Sequence, residues 1–146
     1  MSLLQLLRER LARAWSGTDR LTTLSRQDVA RLLTHPDVLL VDVREPPEYA
    51  ANRIPGARNV PFRSCPDAWA LEPDAFRSAF GFAKPPPSQM LVLYCKSGAR
   101  ASASAERALL AGYSDVSTYP GSMDDWLAHE DQQTPAAGQD EGPRQH

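Results

Sequence analysis

Residues 90–110 read MLVLY-CKSGAR-ASASAERALL. The five apolar residues 90–94 form a continuous run with no polar face, which predicts a strand buried on both sides of a parallel sheet. Cys95 follows at once. After a six-residue loop, small and apolar residues at helical spacing predict a helix that ends near Gly112. In open α/β sheets, ligands sit outside the carboxyl ends of strands, so this order puts Cys95 where chemistry is done.

The loop itself suits a reactive thiol. A short turn running into a helix N-terminus gathers backbone N–H groups in one concave space, and those dipoles favour a thiolate and a bound oxyanion. Arg100 adds a permanent charge with a fork of donors, and Lys96 adds a second cation. Gly98 permits the positive φ that tight loops need. Such surroundings make a cysteine nucleophilic at neutral pH. A lone cysteine at a strand end is more often a small buried hydrophobe, and it is the company of Gly98, Arg100 and the helix that favours the reactive reading here. Cys65 has no such company: it precedes Pro66 in a loop and reads as an inert thiol.

The flanking sequence repeats the alternation of strand and helix. VLLVDV at 38–43 is a second apolar run, broken only by Asp42, and predicts a neighbouring buried strand. Before it, Ser25 and Asp28 form a capping-box pattern that opens a helix through about Leu33. After it, Pro46 and Pro47 suit the first turn of a short helix over PPEYAAN. IPGARNVP turns at Pro55 and Gly56 and leads into a brief strand. A helical region follows over 66–80, KPPP at 84–87 breaks it, and VSTY and GSMDDWLAHE supply a last short strand and helix. The sum is an α/β layered domain around a mainly parallel sheet, spanning residues 21–130.

The two ends differ from this core. Within the segment 1–20, residues 1–17 (MSLLQLLRERLARAWSG) predict an amphipathic helix with Leu4, Leu7 and Leu11 on one face. It is arginine-rich and nearly free of acids, which fits a mitochondrial transit segment, although Glu9 counts against that. The alternative is a plain surface helix and a cytoplasmic protein. Residues 131–146 are polar and rich in Pro, Gly and Gln, and read as a disordered tail.

Bulk composition excludes several classes. The 146 residues are 42% apolar and 23% charged, as in an ordinary globular domain. A net charge of −2 gives no footing for nucleic acid. Two cysteines make no disulfide framework and suit an intracellular chain. His35, His129 and His146 show no ligand spacing with either cysteine, so no metal or other cofactor is expected. No stretch approaches the roughly 18 apolar residues of a membrane span.

Four segments resemble the rhodanese domain in order and spacing: VDVREPPEY (41–49), RIPGARNVP (53–61), YCKSGAR (94–100) and YPGSMDDW (119–126). The resemblance runs from about residue 21 to 130. CPDAWALEPDAF, FAKPP and YPGSMDDW are similar to the single-domain thiosulfate sulfurtransferases of fungi. It implies a rhodanese-like layered domain of about five mainly parallel strands, flanked by helices on both faces. It implies that Cys95 takes the outer sulfur of thiosulfate as a persulfide, releases sulfite, and passes the sulfur to glutathione or cyanide. Lys96, Ser97, Gly98, Ala99 and Arg100 would form the binding loop, with Arg53 a further cation for the sulfonate. Asp42 and Arg44 would brace the loop. Two departures stand out: the usual glycine pair of the last motif is Gly121-Ser122, and Ala99 stands where many relatives have a basic residue.

Other readings stay open. A phosphatase or arsenate reductase on the same fold would need Cys-x5-Arg, and Cys95 to Arg100 is the shorter Cys-x4-Arg, which suits a single sulfur rather than a tetrahedral phosphate. A non-catalytic binding module commonly lacks the cysteine or the arginine, and both are present. A relay fed with persulfide by a partner protein needs the same loop as a small-molecule enzyme.

Overall fold

A computed structural model describes residues 21–130. The expected helix over 1–17 and the tail over 131–146 lie outside the described residues. The described elements are β1 (Thr22–Thr23), α1 (Arg26–Leu32), β2 (Val38–Asp42), α2 (Pro46–Ala51), β3 (Arg58–Asn59), α3 (Pro73–Phe80), β4 (Met90–Tyr94), α4 (Ala99–Leu110), β5 (Val116–Thr118) and α5 (Ser122–Ala128). The five strands form one sheet in the order β1-β5-β4-β2-β3, and every pairing is parallel.

The centre of the sheet is the apolar run of residues 90–94. All five residues of β4 are buried. Its side chains alternate between two cores, as the pleat requires. Leu91 and Leu93 point to a layer containing Trp69, Phe76 of α3, and Ala101, Ala105 and Ala108 of α4. Met90, Val92 and Tyr94 point to the other layer, with Val29 and Leu32 of α1 and Met123 and Trp126 of α5. The small residues of α4 let that helix lie close to the sheet. Trp69 satisfies its indole N–H on Ser104 Oγ at 3.0 Å, so this polar atom costs nothing in burial.

Local signals behave as read in most places. Ser25 Oγ accepts the Asp28 N–H at 3.2 Å and Asp28 Oδ2 accepts the Ser25 N–H at 3.1 Å, completing the capping box. Three details differ from expectation. The first three residues of β2 are half-buried rather than buried, because β3 pairs only with Val41 and Asp42. The helical region over 66–80 is divided into a 3-10 turn at Ala68–Ala70 and α3, whose first residue is Pro73. β1 was not anticipated: two threonines become an edge strand only by pairing with Ser117 and Thr118 of β5.

The order of the strands positions the site. From β2 the chain moves outward to β3 on one side, while from β4 it moves to β5 on the other. The carboxyl ends of β2 and β4 therefore flank the switch point where α/β sheets bind ligands. Cys95 follows β4 and Val43 follows β2, joined by a Val43 N–H to Tyr94 carbonyl bond of 2.9 Å.

Candidate active site

Cys95 lies directly beyond the last residue of β4 and is only 1% exposed. The sequence set a reactive cysteine against a buried one; the structure has a thiol that is buried and yet meets a backbone donor. The Gly98 N–H donates to Cys95 Sγ at 3.0 Å. Gly98 reaches this position with φ at +113°, and a Cβ there would stand 3.0 Å from the Pro120 carbonyl oxygen. Glycine is required by both the torsion and the space. From Gly98 the chain enters α4, twelve residues long, whose N-terminus adjoins the loop.

The other side of the loop is held by the start of α5. The Cys95 carbonyl accepts the Met123 N–H at 2.9 Å, and the Lys96 carbonyl accepts the Asp124 N–H at 3.0 Å. The Cys95 N–H donates to Ser122 Oγ at 3.1 Å. Lys96 itself is exposed and pairs with Asp124 at 3.0 Å. Ser97 and Ala99 are exposed beside it.

Arg100 is engaged. Its Nη1 lies 2.8 Å from Glu48 Oε1 and its Nη2 lies 3.1 Å from Oε2, a two-pronged contact to the first turn of α2. That guanidinium holds the Glu48 carboxyl down at about 2, against a smaller opposing effect of burial. Glu48 in turn raises Arg100, with burial opposing and the nearby Cys95 charge adding a little. A guanidinium expected to face a substrate anion thus already has a carboxylate.

Asp42 and Arg44 form a buried pair at the end of β2, where Asp42 lies beside Tyr94 of β4. Arg44 Nη2 meets Asp42 Oδ2 at 2.8 Å and Nε meets Oδ1 at 3.1 Å, while Nη1 donates to Asn52 Oδ1 at 3.2 Å. The pair ties the end of β2 to the end of α2. Tyr94, beside it, accepts the Ile54 N–H on its hydroxyl at 3.0 Å. Burial foremost, and then the Asp42 charge, push the Tyr94 phenol up, so it stays neutral. The end of β2 is joined to β4 by the Val43 N–H to Tyr94 carbonyl bond.

Arg53 is not gathered into the loop by its contacts. Its guanidinium stacks 4.5 Å from the Tyr49 ring centre and donates to the Tyr49 carbonyl at 3.0 Å. Cys65 is half-buried away from these donors, in a cleft with Pro46, Tyr49, Phe80 and Phe82. Burial and the Asp67 charge push its thiol up, which disfavours the nucleophilic form. Among the described residues no three His, Cys, Asp or Glu side chains converge as metal ligands.

Two site residues were missed in the sequence. Glu48 sat within the quoted REPPEY segment, but an acid in a helical first turn is ordinary. Ser122 was visible as a departure from a glycine pair, with no role attached.

The model of the rhodanese-like domain matches residues 25–129. A thiosulfate:glutathione sulfurtransferase of Saccharomyces cerevisiae is 43% identical over 125 residues, covering 80% of this chain and 90% of that protein. The mitochondrial thiosulfate sulfurtransferase RDL2 of the same yeast is 42% identical over 102 residues, 68% of each chain. The crystal structure of RDL2 superposes with a TM-score of 0.72, covering 77% of this chain and 94% of the other, at 38% identity.

Proposed function

The chain belongs to the rhodanese-like domain family and is a sulfurtransferase, and on that footing we propose that it moves the outer sulfur of thiosulfate to glutathione through a persulfide on Cys95. The observation that carries this reading is the Gly98 N–H aimed at Cys95 Sγ at 3.0 Å, at the mouth of α4. In the first half of the cycle the Cys95 thiolate bonds to the outer sulfur of thiosulfate. The S–S bond of thiosulfate breaks and its electron pair leaves with sulfite. In the second half an acceptor thiol attacks the outer sulfur of the persulfide, and the Cys95 thiolate is released. This is covalent catalysis in two displacements.

The loop residues divide the work under this reading. Gly98 N–H and the N-terminus of α4 favour negative charge on either sulfur. Lys96 pairs with Asp124 at the exposed surface and would exchange that carboxylate for the sulfonate. Ser97 and Ala99 line the mouth. Arg100 closes the loop against α2 by gripping Glu48, and Asp42 and Arg44 hold the floor. Arg53 is held on α2 by the Tyr49 ring and carbonyl. Residues 21–130 are then the catalytic unit.

A mitochondrial location is supported by the arginine-rich reading of residues 1–20 and by the relative RDL2, whose name carries that compartment. Among the described residues no helix is long and apolar enough to cross a membrane.

The test is intact-mass spectrometry of the purified protein before and after thiosulfate, beside Cys95→Ser. A gain of one sulfur mass on the wild type alone is expected. No gain on a fully reduced wild type would remove thiosulfate as the donor and favour a relay fed by a protein persulfide.

A further inference from the structure

The first turn of α5 grips the loop through three consecutive residues, and one of them also approaches the sulfur. Ser122 Oγ accepts the Cys95 N–H at 3.1 Å. The same oxygen lies 2.9 Å from the Tyr119 carbonyl oxygen and 4.0 Å from Cys95 Sγ. A hydroxyl has one proton and turns freely, so it serves either the carbonyl or the sulfur at a given moment.

Two more observations set Ser122 apart. It is fully buried. It also has φ at +57°, the one non-glycine residue with positive φ among the described residues. Residues held in that region cluster where strain has a use, and glycine would adopt it freely. The backbone alone therefore gives no reason for a serine. Its hydroxyl does.

We propose that the Ser122 hydroxyl donates to Cys95 Sγ as the persulfide discharges, and so favours the second half of the cycle. This rests on the persulfide reading above. In discharge, the acceptor thiol's sulfur bonds to the outer sulfur and the bond from Sγ to the outer sulfur breaks. Its electron pair returns to Sγ, and the thiol's proton ends on the hydropersulfide product. Negative charge grows on Sγ, where the hydroxyl turns from Tyr119 to meet it. Donors aimed at developing charge speed the step that develops it. In loading, Sγ gives up its charge as it bonds to the outer sulfur and the electron pair departs with sulfite, so the same contact gives no advantage.

Wild type, Ser122→Gly and Ser122→Ala are loaded with thiosulfate, desalted and mixed with glutathione, and the persulfide is followed by quenched intact-mass spectrometry. Both variants are expected to load at least as fast as wild type and to discharge about tenfold more slowly, the scale of one lost hydrogen bond to a charged group. Ser122→Gly leaves the torsion unstrained and Ser122→Ala keeps the Cβ, so agreement between them isolates the hydroxyl. Unchanged discharge would overturn the proposal. Equal slowing of both halves would also overturn it, since it would reduce Ser122 to shaping the loop. If wild type takes no sulfur from thiosulfate, the donor assignment fails on its own. Inorganic polysulfide then loads the same thiol, and the discharge comparison still decides the role of Ser122.

Discussion

The guanidinium of Arg100 grips the carboxylate of Glu48 with two bonds, 2.8 and 3.1 Å, across 52 residues of chain. This contact fastens the end of the cysteine loop to the first turn of α2, which begins just past β2. Both strands at the switch point are thereby linked above the sheet. An arginine expected to bind a substrate anion is paired here with a carboxylate.

Removing either partner should accordingly have similar consequences. Arg100→Ala and Glu48→Gln are each expected to cost about 1 kcal/mol of stability, because the pair is partly exposed. Each is also expected to lower kcat/KM for sulfur transfer by about tenfold or more, through a displaced loop. Urea unfolding and steady-state kinetics check both. If Glu48→Gln were fully active while Arg100→Ala was not, Arg100 would be acting on the substrate directly.

The same pair predicts a response to acid. Arg100 holds the Glu48 carboxyl at about 2, below its ordinary 4.5. A carboxylate depressed in the folded state stabilises fully above its unfolded value, and loses that contribution as pH falls through the folded one. The stability advantage of wild type over Glu48→Gln should therefore be constant above about pH 4.5 and fade toward pH 2. Unfolding midpoints of the two proteins, compared across that range, measure it. A gap that widened on acidification would contradict the sign.

Asp42 and Arg44 make a different case, because both are buried. Arg44→Met strands a carboxylate in the interior, and about 3–5 kcal/mol of destabilisation is expected. Adding Asp42→Asn removes the stranded charge and should recover part of the loss. Denaturant titration of the two variants tests this; a loss below about 1 kcal/mol for Arg44→Met would mean that Asp42 finds water or another donor.

Gly98→Ala meets both obstacles described above, a φ of +113° and the Pro120 oxygen at 3.0 Å. A cost of about 1–3 kcal/mol is expected for forcing an L residue into such a site. Moving its N–H away from Cys95 Sγ should lower kcat/KM as well. Thermal melts and kinetics on one preparation decide it. Wild-type activity in Gly98→Ala would show that this N–H is dispensable.

Much of the fold was legible because its signals are local. The unbroken apolar run of β4, the alternation of its faces and the Ser25–Asp28 cap each depend on residues a few positions apart. The missed strand is instructive. Two β-branched threonines are too short a run to mark a strand; it forms because β5 offers a free edge at that height. The thiol at Cys95 and the need for glycine at Gly98 were also readable, since a strand, a tight turn and a helix in succession leave few conformations. The partners of the charged residues were not. Lys96, Arg53 and Arg100 were read as free cations, and the structure holds them on Asp124, on the Tyr49 ring and carbonyl, and on Glu48.

The sequence by itself determined that this chain builds a parallel sheet with a cysteine at the end of its central strand, and the family resemblance read from it supplied the sulfur chemistry. Only the tertiary structure decided what surrounds that sulfur. Ser122 lies 27 residues from Cys95, and Glu48 lies 52 from Arg100. Hydrophobic periodicity is a property of neighbouring positions, so it survives in one dimension. Hydrogen bonds and ion pairs depend on which groups meet within about 3 Å, and that is settled only when the strands have found their order.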